Sequence, residues 1–296
     1  MKKYWILPFL VVFLVMGSCS SGDDGGNGSN PDDPDPPATV DRTPNLQPTG
    51  SSANDILSND SFDRLEIQIG YVTGFRPRAE SIANFEAFLR QHTFKDNIEI
   101  SFLELDSPDE ETLTTNEIAS LESDNRTLYN NGSTVTIYIY FADAPSDGDD
   151  EEEGLVTLGA VYLNTSMVIF ESTIRNLSAQ TMGNISVADI ETATLNHEFG
   201  HLFGLVDLGT EQVNIHEDPE APNHCIVEGC LMRAALQFGS ATSRALVSGE
   251  KDTTKPICAL SGQSVLKMLD TRSAMGVLIP GLDPECILDI QGNGAR

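Results

Sequence analysis

His197-Glu198-Phe199-Gly200-His201-Leu202-Phe203-Gly204-Leu205-Val206-Asp207 decides how the rest of this 296-residue sequence is read. Its two histidines stand four residues apart, so on a helix both imidazoles project to one side. Glu198 emerges at the rim of that face. Upstream, Ser186-Val187-Ala188-Asp189 has the pattern of a capping box, which sets the helix start at Ser186. Leu195, Phe199 and Leu202 form its core-facing stripe. Gly204 stops the helix, because glycine tolerates the left-handed conformation at a helix end. Two rigidly held nitrogens make half of a tetrahedral zinc site that needs a third ligand and leaves its fourth position to water. A glutamate beside that water is placed to take its proton and return it to a leaving amine.

The chain before this helix alternates strand and helix patterns. Leu65–Val72 alternates at period two and reads as a strand. About Arg78 to His92, Ile82, Phe85, Phe88 and Leu89 recur at helical spacing. Ile98–Leu103 is a second strand, and a second helix is expected between about Glu110 and Tyr129. Val135–Phe141 carries apolar residues for both faces, as in the centre of a covered sheet. Ala160–Leu163 and Met167–Phe170 supply further strand material around Asn164-Thr165. The order predicts an α/β fold with crossover connections. Asp147 to Glu153 is a run of hard oxygens that calcium accepts, but without EF-hand spacing; it reads as a solvated loop. His216, among Glu217, Asp218 and Glu220, reads as a solvated loop histidine, and His92 as a partner for helix-end carbonyls.

The N-terminus reads as a targeting segment. Lys2 and Lys3 precede an apolar stretch, Tyr4 to Met16, too short to span a bilayer comfortably. Met16-Gly17-Ser18-Cys19 resembles the lipobox of bacterial lipoproteins, which implies a signal peptide over 1–18 and lipidation of Cys19. Residues 19–60, rich in Gly, Ser, Asn, Asp and Pro, are expected to be a disordered tether. Acidic residues just after Cys19 also resemble the surface-export signal of Bacteroidetes lipoproteins. That places the chain at the cell envelope, lipid-anchored in the outer membrane.

Seventeen basic residues against 45 acidic ones give a formal charge of −28. Phosphate binding needs clustered Lys and Arg, so nucleic acid is excluded as an expected partner. Besides Cys19 there are four cysteines, Cys225, Cys230, Cys258 and Cys286, an even number suited to an oxidising compartment. The favoured pairing is Cys225–Cys230 with Cys258–Cys286; the rival is a four-cysteine structural zinc site.

The motif His197-Glu198-x-x-His201-x-x-Gly204-x-x-Asp207 resembles the zinc signature of metzincin-type metallopeptidases, in the variant with Asp in the third ligand position found in the snapalysin group. Cys230-Leu231-Met232 offers a candidate Met-turn. His224-Cys225-x4-Cys230-x-Met232 is similar to part of the archaemetzincin signature, except that Leu208 to Asn223 separate it from the helix. The third zinc ligand is therefore Asp207 or His224, and the spacing favours Asp207. The resemblance implies a zincin fold: a mixed twisted sheet, a long active-site helix and a smaller, mostly irregular C-terminal part. The domain would cover 61–296, with an upper subdomain 61–204 and a lower one 205–296 bearing a helix near Ser261 to Leu269. The strand around Ala160 to Phe170 would be the sheet edge along which a peptide substrate adds antiparallel. The expected function is a monomeric, zinc-dependent extracytoplasmic endopeptidase with Glu198 as base and one catalytic zinc. The alternatives are a surface binding module for glycan or host protein, or a zinc hydrolase of other amides or short peptides.

Overall fold

The structure is a computed structural model that describes residues 40–150, 156–181, 185–234, 258–269, 272–273 and 276–296. The signal peptide over 1–18, Cys19 and the first half of the tether lie outside the described residues. The folded unit begins earlier than the composition suggests. Asn45 is fully buried, its amide donating to Asn130 Oδ1 at 2.8 Å, the Thr136 carbonyl at 3.1 Å and Thr165 Oγ1 at 3.1 Å. Helix α1 (Ala53–Leu57) follows and buries Ala53, Ile56 and Leu57. Residues 40–60, expected as tether, thus pack against the sheet, anchored by polar side chains that a hydropathy reading undervalues.

Strand β1 (Arg64–Val72), helix α2 (Ala79–His92), strand β2 (Asn97–Leu105), helix α3 (Thr115–Asn125), strand β3 (Thr134–Phe141), strands β4 (Thr157–Leu163) and β5 (Ser166–Ile169) come next. Helix α4 (Glu171–Gln180), which the sequence reading missed, precedes helix α5 (Val187–Leu202). The capping box appears as expected: Ser186 Oγ accepts from the Asp189 amide at 3.1 Å, and Asp189 accepts from the Ser186 amide at 2.8 Å. The remaining chain contributes β6 (Glu217–Asp218), β7 (Ala221–Cys225), β8 (Cys258–Ser261), helix α6 (Gly262–Leu269), β9 (Arg272–Ser273), β10 (Gly276–Val277) and helix α7 (Pro284–Gly292).

The main sheet has the order β2-β1-β3-β5-β4-β8. Strands β2, β1, β3 and β5 are parallel, β4 is antiparallel to β5, and β8 is antiparallel to β4. This mixed α/β sheet agrees with the expected fold class. One expectation is corrected: β4 is not an edge, because β8 pairs with its outer side. Alternation sets the two layers. Ile67, Ile69, Ile137 and Ile139 share a core with α2, α4, α5 and α6, whereas Tyr138, Tyr140 and Tyr162 pack with Ile118 of α3 on the other face. Phe199 of α5 meets Phe85 of α2 edge-on, with ring centroids 5.2 Å apart; burying one such side chain stabilises the fold by roughly 1.5–3 kcal/mol. That contact fixes α5 beneath the sheet. Among the described residues no helix is long and apolar enough to cross a membrane.

Candidate functional site

Helix α5 presents His197, Glu198 and His201, all fully buried. The two histidines converge, with Nε2 of one 3.2 Å from Nε2 of the other. The third member is His224, at the end of β7. Ligand atoms of His197, His201 and His224 all lie within 4.8 Å of one another. The sixteen residues from Leu208 to Asn223 do not keep His224 away, because they fold into the β6–β7 hairpin. Asn223 adopts a left-handed φ of 64° and donates its amide to Glu217 Oε1 at 2.7 Å, which turns the next residue inward. Asp207, the residue favoured from spacing, stands outside the cluster and is exposed. Gly204, Val206 and Asp207 all have positive φ, and this tight exit from α5 directs Asp207 to solvent. Gly204 itself is required: a Cβ there would lie 2.8 Å from the Thr210 amide nitrogen and 2.9 Å from Ala53 Cβ.

Backbone carbonyls orient two of the rings. His197 Nδ1 is 2.7 Å from the Leu231 carbonyl and His224 Nδ1 is 2.9 Å from that of Pro222. An acceptor there requires Nδ1 to carry the proton, which makes Nε2 the ring nitrogen that presents a lone pair. Burial lowers the pKa of all three histidines, that of His197 to about 3. All three are therefore neutral, the form that binds metal. Neither carboxylate oxygen of Glu198 has a hydrogen-bond partner, and burial pushes its pKa well above the ordinary value. A buried unpaired carboxyl is costly. A divalent cation on the adjacent imidazoles is the kind of charge that would return Glu198 to its ionised form. Neutral convergent imidazoles beside an orphaned carboxylate fit a catalytic zinc site: three ligands plus a base.

Two neighbours complete the setting. A Cβ on Gly159 of β4 would sit 2.8 Å from Glu198 Cγ and 3.1 Å from its Oε1, so β4 lies directly against the glutamate. Sequence reading missed Gly159; its only signal was a glycine inside an apolar strand. Beneath the helix, a Cβ on Gly200 would come within 2.2 Å of Met232 Sδ. Met232 thus fills the space left by that glycine, which lies between the two helix histidines in sequence.

The cysteines do not form the favoured pairs. Cys225, Cys230 and Cys286 are free and buried, and the side chain of Cys258 lies outside the described residues. With Asp283 the three form a second group whose ligand atoms all lie within 4.8 Å of one another. Cys225 Sγ is 3.1 Å from Asp283 Oδ2, and Cys230 Sγ is 3.7 Å from Cys286 Sγ. Backbone N–H groups of Val227 and Met232 donate to Cys225 and Cys230, each at 3.3 Å. Sulfur hydrogen bonding from Cys230 holds the Cys225 thiol down to about 4, while hydrogen bonding with Cys225 raises the thiols of Cys230 and Cys286. His216 is no solvated loop residue either. It is buried, with Nε2 3.5 Å from both Cys286 Sγ and Asp289 Oδ2.

No protein-family profile and no curated protein matches this sequence. Among solved structures, the crystal structure of archaemetzincin from Methanopyrus kandleri aligns with 78% of this chain and 96% of its own, at 14% identity and a TM-score of 0.43.

Proposed function

We propose that this chain is a zinc-dependent peptidase whose metal is held by His197, His201 and His224. The observation that carries the reading is the convergence of three buried, neutral imidazoles beside the unpartnered carboxylate of Glu198. Zinc bound there supplies Lewis-acid polarisation of water and of a substrate carbonyl. Glu198 takes the proton of the attacking water and delivers it to the leaving amine. Gly159 leaves room for that carboxylate under β4. Hydrogen bonding to strand backbone selects an extended polypeptide with limited sequence preference. The run Met16-Gly17-Ser18-Cys19 supports placing the enzyme outside the cytoplasm on a lipid anchor.

A second, structural metal centre belongs to the same reading. Three sulfurs and the Asp283 carboxylate would supply four ligands, the number a structural zinc site takes, and backbone N–H groups already donate to two of the sulfurs, Cys225 and Cys230. This revises the rival four-cysteine site, with Asp283 in place of Cys258.

The test is zinc content and cleavage of unfolded β-casein by the full-length chain and its Glu198→Ala variant. Zinc is expected to be equal in both, with turnover lowered on the order of 10²–10⁴-fold in the variant. Unchanged turnover contradicts the assignment of Glu198.

A further inference from the structure

The outer side of β4 is where an extended substrate would add, given the peptidase reading on which this inference rests. Strand β4 lies against the base: Gly159 touches Glu198 and Thr194 of α5. A peptide added to that side gains a ladder of main-chain hydrogen bonds and lies beside the metal ligands. In the structure this position is filled. Strand β8 (Cys258–Ser261) runs antiparallel to β4, pairing Val161 with Cys258, Ala160 with Ala259 and Thr157 with Ser261. The register places 259–261 beside 157–160, the stretch that includes Gly159.

We propose that β8 is an autoinhibitory strap, a segment of the chain that occupies the substrate position on β4 and must leave before a polypeptide binds. Its pairing has the features of a removable occupant. It is four residues long, with a register shift between Thr157 and Ala160 that breaks the ladder. Among the described residues it also lies at the outer end of the sheet, paired on one side only, whereas the equally short β5 is held between β3 and β4. The strap is nonetheless positioned. The Gly262 amide donates to the Val156 carbonyl at 2.7 Å. Helix α6, which follows at once, is anchored by Val265 and Leu269, both fully buried in the core shared with α5. A short strand tied to a buried helix returns readily after displacement, because its closure entropy is small. The competition is therefore intramolecular, and a weak substrate is held off by a high effective concentration of the strap.

The test uses the full-length, zinc-loaded chain carrying Glu198→Ala, with fluorescein-labelled β-casein as the probe. Adding Ala259→Pro removes a backbone donor and a strand conformation from β8. Casein binding, followed by anisotropy, is expected to tighten at least tenfold (~10-fold or more). Binding that is equal, weaker or absent in both chains overturns the strap. A second measurement needs no change in β8: hydrogen exchange of the Glu198→Ala chain with and without casein. Amides of 258–261 are expected to lose protection when casein binds, and retained protection overturns the proposal. Failure of the peptidase reading shows separately, as no zinc-dependent casein cleavage by the chain with Glu198 intact and Ala259→Pro in β8, whatever the binding result.

Discussion

Two buried ligand clusters sit back to back in this chain, joined by the adjacent residues His224 and Cys225, yet they are built on opposite plans. The histidine cluster leaves groups unsatisfied: both Glu198 oxygens and His201 Nδ1 have no hydrogen-bond partner. The cysteine cluster is closed, with the Cys225 and Cys230 sulfurs accepting backbone N–H groups and Asp283 completing the set. An open site retains a position for reacting groups, whereas a closed one contributes only folding free energy. The turn between them carries the coupling. Leu231 lends its carbonyl to His197, Met232 lends its carbonyl to the Cys225 amide at 2.8 Å, and Met232 Sδ lies under Gly200. The closed cluster thus fixes the floor of the open one.

The comparison breaks most visibly at the closed cluster. Cys286→Ser is expected to remove one metal equivalent and about 3 kcal/mol or more of stability, a drop in melting temperature of roughly 10 °C. Calorimetry with metal analysis checks this; unchanged melting and metal content would make the cluster a set of ordinary buried thiols. A smaller change sharpens the link between the clusters. Gly200→Ala forces Met232 to shift, costing about 1–3 kcal/mol. Zinc affinity at the histidines should fall while the cysteine metal stays, as read by stepwise chelator competition. Loss of the cysteine metal first would reverse the direction of support.

The mildest test lies elsewhere on the same helix. Glu191 of α5 and Glu171 of α4 are both fully buried. Burial, then the neighbouring carboxyl, raises Glu171 to about 8, and burial also raises Glu191. A carboxyl whose folded pKa is raised stabilises the fold at low pH and loses that contribution as pH rises through the folded value. Melting temperature should fall between about pH 5 and pH 8 from this pair. Glu171→Gln should flatten the decline, and an equally steep profile in that variant would remove the pair as its cause.

The sequence made legible whatever depends on local periodicity. The strand and helix order up to β3, the start of α5 at Ser186 and the alignment of His197 with His201 follow from spacing and capping alone. The third histidine was harder, because its position depends on a hairpin closed by Glu217 and on the left-handed Asn223, neither of which leaves a periodic trace. Asp207 was favoured because six residues is a plausible reach; the consecutive positive φ at Val206 and Asp207 shows why the chain turns it outward instead. Cysteine parity suggested disulfides, while Asp283, the decisive fourth member, has no signature until the fold brings α7 to the turn. Residues 40–60 were hidden for a related reason: their anchors are Asn45 and Asn164, polar side chains whose partners are more than eighty residues away.

The central claim is that His224, not Asp207, completes the open centre. Zinc content and casein turnover of His224→Ala and Asp207→Ala, each compared with the unaltered chain, test it directly. The expected result is that His224→Ala loses one zinc and its turnover while Asp207→Ala keeps both; the opposite pattern contradicts the claim.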